Sequence, residues 1–166
     1  MILKLDHIAL RLQDKEKAKN FLSLLGYLVE DVIELDFGDS KAESYVLANK
    51  NLTEVFMSDG EATSVVGQWV NQNGPGIHHI AYQTDNIKDD VDRFKKNGVR
   101  FTTEDVLECD DLKQIFTVPQ ESLGGIIIEL IERKTKGFCT ANVKKLMEST
   151  KVDEERPYDY KRYSED

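Results

Sequence analysis

The chain has 166 residues, 40% of them hydrophobic, with 31 acidic against 22 basic side chains and a net charge of −9 at pH 7. That length supports one well-buried core and disfavours two full domains, while an acidic balance without a long basic run argues against nucleic acid and anionic membrane as partners. The start, MILKLDHIAL, lacks an apolar run followed by a small-residue cleavage site, and no later stretch approaches a membrane span, so the chain reads as cytosolic.

In chain order, residues 3–11 alternate as a strand, with Leu3, Leu5, His7, Ala9 and Arg11 on one face. Asp14 suits an N-cap for a helix carrying Ala18, Phe21, Leu22 and Leu25 on one stripe and ending at Gly26. Strands are predicted at 27–35, 42–49 and 52–57, the first two separated by the turn-rich DFGDS, giving a βαβββ unit over 1–58. A linking helix over 61–72 and the turn NGPG lead to a second unit over 76–133. Its expected elements are a strand at 76–84, a helix at 86–97, and strands at 99–103, 112–118 and 123–132, with 104–111 as a loop. A third amphipathic helix is predicted near 139–149 within a 134–150 segment, followed by a charged, tyrosine-rich tail at 151–166 that reads as disordered or laid over the surface. The expected class is α+β: two tandem βαβββ units in a single domain over 1–133, forming a curved mixed sheet around a central metal pocket, plus a C-terminal helix. Cys109 and Cys139 are far apart, without CxxC or a Cys/His cluster, and read as ordinary thiols.

The two units repeat in sequence. LDHIALRLQDKEKAKNFLSLLG at Leu5–Gly26 lies over IHHIAYQTDNIKDDVDRFKKNG at Ile77–Gly98 with a constant offset of 72, which sets His7 on His79 and Gly26 on Gly98. In IIIELIER a carboxylate, Glu129, stands within an apolar strand, where its charge is costly unless paired or metal-bound. The first unit offers Glu54 in LTEVF, 47 residues after His7, against 50 from His79 to Glu129. Two histidines and one carboxylate make the facial arrangement suited to non-haem Fe(II), and Glu54 would make a fourth ligand. Glu54 could equally face water from an edge strand. His78 alternates to the other face and reads as a supporting or structural residue. A strand histidine taken singly is more often a satisfied core residue; it is the repeated position, with strand carboxylates, that points to a cation.

Paired βαβββ units with His on the first strand and Glu on the last resemble the vicinal-oxygen-chelate (glyoxalase/bleomycin-resistance) superfamily over residues 1–133. Within it, GPGIHHIAYQTDNI, LKQIFTVP, IIIELIER and GFCTANVKKLME resemble, in that order, the catalytic C-terminal half of the 4-hydroxyphenylpyruvate dioxygenase family. The resemblance implies His7, His79 and Glu129 as iron ligands, and Ser44, Gln114, Phe116, Phe138 and Asn142 as pocket or lid positions, with Phe116 and Phe138 on either side of an aromatic substrate. It further implies an Fe(II) dioxygenase acting on a 2-oxo acid, with the last helix as a lid and no side-chain general base. Co, Ni, Zn and Mn suit the same donors.

The sequence also departs from that pattern. Asp59 or Gly60 stands where the family has a pocket asparagine, TSVVGQW lacks its linking-helix glutamines, and His78 replaces the glutamine before the second metal histidine. The fold and metal therefore carry over better than the substrate, and an altered pocket is expected. HHIAY after a Gly-rich turn, with Glu54, also resembles methylmalonyl-CoA epimerase and related isomerases, which would imply an acyl thioester substrate and a fourth ligand. A third alternative is a non-catalytic small-molecule binding protein of the same fold. A homodimer is expected from the fold family, with the first strand and helix as candidate surfaces.

Overall fold

The computed structural model describes residues 1–151, so the charged tail beyond them lies outside the described residues. The chain runs β1 (Ile2–Arg11), α1 (Lys15–Ser23), β2 (Leu28–Asp36), β3 (Lys41–Asn49), β4 (Leu52–Gly60), α2 (Val65–Asn73), β5 (Gly76–Thr84), α3 (Ile87–Lys96), β6 (Leu107–Cys109), β7 (Leu112–Phe116), β8 (Ile127–Arg133) and α4 (Thr140–Ser149). The helices begin where short polar side chains can satisfy free N–H groups: Asp14 accepts from Lys17, Ser64 from Gly67 and Asn86 from Asp89.

All eight strands form one curved mixed sheet in the order β2-β3-β4-β1-β5-β8-β7-β6. β1 pairs parallel with β4 in the first half and β5 pairs parallel with β8 in the second, while β1 and β5 pair antiparallel at the centre. The two βαβββ units are thus arranged about the β1–β5 seam, as the repeat requires. On one face of the sheet, α1 packs Ala18 and Leu22 against Leu47, Val55 and Met57, and α3 packs Ile87 and Val91 against Ile115 and Leu130. On the other, α2 and α4 bring Val65, Val66, Val143 and Met147 to Ala9 and Phe56. Among the described residues no helix is long and apolar enough to cross a membrane.

Several expectations are corrected. Residues 99–103 form no strand, only an isolated bridge from Phe101 to Thr117, and the edge strand β6 lies instead inside the expected loop 104–111. The overlooked signal is Asp110-Asp111: Cys109 pairs with Leu112, and Asp110 has a φ of 51°, the left-handed turn geometry that Asp tolerates in a two-residue hairpin. The strand expected from 123 starts at Ile127 because Gly124 and Gly125 take positive φ after a 3-10 turn at Glu121–Leu123. Cys109 and Cys139 are not free thiols but a disulfide, tying β6 to the N-cap of α4. Spacing alone could not show this, since the stretch between the two cysteines, which are 30 positions apart, contains β7, β8 and the turns that fold them together. The α1 stripe also splits, for Ala18 and Leu22 are packed while Phe21 and Leu25 remain exposed.

Candidate metal centre

Three irregularities interrupt the β1–β5 seam, at Leu3, Asp6 and His78, and the last two shape the site. Leu5 pairs with Tyr82 and His7 with Ala81, so Asp6 is an extra residue on β1; Ala9 pairs with His79 and Leu10 with Ile77, so His78 is an extra residue on β5. Asp6 and His78 are 72 residues apart, the repeat offset, so each unit carries its β-bulge immediately before its histidine. A bulge resets the alternation and re-aims side chains. This is why Leu3 and Leu5 lie exposed while His7, Ala9 and Arg11 on the same expected face are buried, and why His78 is turned inward with His79 instead of away from it.

The bulged residues hold their neighbours. Asp6 Oδ1 lies 2.8 Å from His7 Nδ1, and His78 Nδ1 lies 2.8 Å from His79 Nδ1. Both contacts occupy the Nδ1 atoms and leave Nε2 of each ring facing Glu129, whose Oε2 is 3.2 Å from His7 Nε2 and 3.2 Å from His79 Nε2. The other carboxylate oxygen accepts from Gln114 Nε2 at 2.8 Å, and Gln114 Oε1 accepts from Asn142 Nδ2 on α4 at 3.3 Å. Asp6 is itself held by Arg133, whose Nε donates to Oδ2 at 3.1 Å. The donor atoms of His7, His79 and Glu129 all lie within 4.8 Å of one another. Ligands about 2.1 Å from a common divalent ion at adjacent octahedral positions are about 3 Å apart, close to the two 3.2 Å separations between Glu129 and the histidines.

Glu54 is not part of this cluster. His7 pairs with Glu54 across β1–β4, but the matching partner of His79 across β5–β8 is Ile127, and Glu129 comes two residues later, opposite Ala81. The counterpart of Glu129 is therefore Phe56, opposite Ala9. Counting along the chain left this open because the connections between strands differ in length in the two halves. Glu54 instead lies 3.8 Å from Arg133, and burial raises its pKa.

The charges are tightly coupled. Burial opposes a charge on His7, but the Glu129 and Asp6 carboxylates outweigh it and raise the imidazole to about 9. Burial dominates at His79 and lowers it to about 4, and burial likewise holds His78 well below its ordinary value. Glu129 is buried yet held well below the usual carboxylate range by the two histidines. In the metal-free protein His7 and Glu129 thus form a buried ion pair beside a neutral His79, and a cation would take the place of the His7 proton.

The cavity beside the cluster is lined by Phe56, Phe116 and Phe138, and by Val143, Leu146 and Met147 of α4. The Phe116 ring lies tilted with its centroid 4.6 Å from that of His79, and Phe138 meets His7 edge to face at 5.1 Å. Of the positions expected to contact substrate, Gln114, Phe116 and Phe138 line it, whereas Asn142 acts on Gln114 from α4. Ser44 lies behind the wall, bonded at 2.7 Å to Ser58, which does line it. The free space beside the cluster is about 30 Å³, room for ordered water. The sequence reading missed Asp6, whose signal is the polar residue before His7 repeated as His78, and missed Arg11 as a cavity residue although its alternation already placed it inward.

A curved eight-stranded sheet from two βαβββ units, with histidines of both meeting one carboxylate, is the architecture of the vicinal-oxygen-chelate class, with His7, His79 and Glu129 as its candidate metal ligands. Residues 6–116 match the glyoxalase/bleomycin resistance protein/dioxygenase superfamily, and the chain belongs to it. It is 27% identical over 128 residues to the mitochondrial methylmalonyl-CoA epimerase of Homo sapiens, covering 76% of this chain and 72% of that protein. It is 29% identical over 133 residues to the 4-hydroxyphenylpyruvate dioxygenase of Dictyostelium discoideum, covering 59% of this chain and 36% of that one. A substituted 4-hydroxymandelate synthase from Streptomyces coelicolor shares the fold with a TM-score of 0.78 and 21% identity, over 90% of this chain and 53% of the synthase, so this chain spans about half of that protein.

Proposed function

We propose that the protein is an Fe(II)-dependent oxygenase acting on a 2-oxo acid, with His7, His79 and Glu129 as the metal ligands. The observation that carries the reading is the replacement of a fourth ligand by Phe56: with Glu54 turned to Arg133, three donors remain on one side of the site, the facial set suited to non-haem iron. A bound ferrous ion supplies O2 activation coupled to oxidative decarboxylation of a chelating 2-oxo acid. Asp6 and His78 fix the ring orientations, Gln114 holds Glu129, and the three phenylalanines with α4 exclude water from the substrate side.

The match to methylmalonyl-CoA epimerases favours a second reading, proton transfer beside a metal-bound acyl thioester. Against it, Glu129 is the sole carboxylate among the described residues lining the cavity, and it is engaged by two histidines and Gln114, leaving no acid–base pair to flank a substrate carbon. O2 uptake by anaerobically iron-loaded protein with a panel of aryl and alkyl 2-oxo acids tests the choice. Uptake with CO2 release supports the oxygenase; no uptake with any acid, together with α-proton exchange on a CoA thioester, establishes the epimerase.

A homodimer and a cytoplasmic location belong to the same reading. Phe21, Leu24 and Leu25 beside Leu28, Val29 and Val32 of the edge strand β2 supply an exposed apolar surface for pairing, checked by light scattering. In a reducing cytoplasm the Cys109–Cys139 bond would face the glutathione pool, and alkylation of freshly lysed cells would report its state.

A further inference from the structure

Arg11 ends β1 on the inner face and is 3% exposed, yet no carboxylate pairs with it among the described residues. Its Nη2 donates to Thr150 Oγ1 at 3.0 Å, its guanidinium lies 5.8 Å over the Trp69 ring, and its Nη1 has no hydrogen-bond partner among the described residues. A buried guanidinium without a counter-ion is among the costliest arrangements a fold can keep, and hydroxyl and ring contacts offset only part of that cost. Arg11 lines the same cavity as the metal ligands.

A second unpartnered donor lines it too. For His79 to present Nε2 to a metal its proton must be on Nδ1, so Nδ1–H donates to His78 Nδ1, and the neutral His78 carries its own proton on Nε2. That Nε2 is buried and has no partner among the described residues. Two unsatisfied N–H donors, one of them cationic, therefore share one cavity wall beside Trp69, which contacts the His78 ring at 5.3 Å. Charge bookkeeping points the same way: a divalent ion with Glu129 and two neutral histidines leaves one positive charge, Arg11 adds another, and a dianion balances both.

We propose that Arg11 and His78 Nε2 form the subsite for a second carboxylate of the substrate, so that the protein selects dicarboxylic 2-oxo acids. This rests on the reading of His7, His79 and Glu129 as a metal centre that chelates a 2-oxo acid. His7 and Arg11 are four residues apart on one strand, about 13 Å between their Cα atoms, so the second carboxylate is set several bonds from the chelating end. Outward movement of α4 carries Thr150, its C-cap, away from Arg11 and frees Nη2 to join Nη1 in a forked contact with the carboxylate.

The test is calorimetric binding of 2-oxoadipate against 2-oxohexanoate, which lacks only the terminal carboxylate, to Mn(II)-loaded protein. The dianion should bind at least about tenfold more tightly to wild type, and Arg11→Met should reduce that preference to less than about twofold. Arg11→Lys should keep part of the preference. Equal affinities in the wild type, or a preference that survives in Arg11→Met, overturns the subsite and leaves the 2-oxo acid reading standing. In a separate arm adipate, which cannot chelate through a keto group, should raise the melting temperature of metal-free wild type but not of Arg11→Met. Failure of both 2-oxo acids to bind the loaded protein, with that adipate effect present, overturns the 2-oxo acid reading and keeps the subsite. Absence of the adipate effect counts against the subsite.

Discussion

Metal affinity should depend steeply on pH above neutrality, where an ordinary histidine site no longer titrates. His7 is raised to about 9 by Glu129 and Asp6, so a metal that binds its Nε2 below that pH must displace one proton. The apparent Kd for Co(II) should then fall about tenfold per pH unit, or about 100-fold (about 2.7 kcal/mol) between pH 6.5 and 8.5. A histidine at the unperturbed value of about 6.5 would change it by only about twofold over that range. Competition against a chromophoric chelator measures the slope, and titration calorimetry in buffers of different ionisation enthalpy counts the protons, about one per metal at pH 7. The same proton acts on the metal-free fold: because the folded value is raised, its stabilising contribution is complete below about 6.5 and is lost as pH climbs through about 9. That contribution amounts to at most about 3 kcal/mol. A flat affinity profile from pH 6.5 to 8.5, with no proton released, would refute the placement of a buried imidazolium between the two carboxylates.

Other expectations follow from the same geometry. Glu129→Ala should abolish metal retention, whereas Glu54→Ala should leave metal affinity within about twofold, as read by metal analysis after gel filtration. Gln114→Leu should keep the fold but weaken metal binding by about 10- to 100-fold, because the free Glu129 oxygen loses its donor. Reduction of Cys109–Cys139, or Cys109→Ser, should lower stability by about 3–4 kcal/mol for a closed loop of this length, seen as a drop in denaturant midpoint.

The meeting of His7, His79 and Glu129 was legible in the chain because a duplicated strand keeps its histidine at the same offset and because Glu129 interrupts an apolar run. The bulges were not, since a single extra residue at Asp6 or His78 has no signature in hydrophobic period, yet it decides which side chains face inward. Spacing along the chain left the place of Glu54 open, and only the pairing of Ala9 with Phe56 and Ala81 with Glu129 shows which positions correspond. Edge strand β6 and the disulfide were hidden in an acidic segment whose composition suggests a loop, and tertiary pairing overrode that local preference.

The most direct measurement is an anomalous-difference map at the iron edge from crystals grown with Fe(II) under anaerobic conditions. A single peak within about 2.0–2.3 Å of His7 Nε2, His79 Nε2 and a Glu129 oxygen, with Phe56 beside it and Glu54 out of reach, is the expected result. A peak ligated by Glu54, or no peak at the meeting point of the two histidines, would contradict the three-ligand centre.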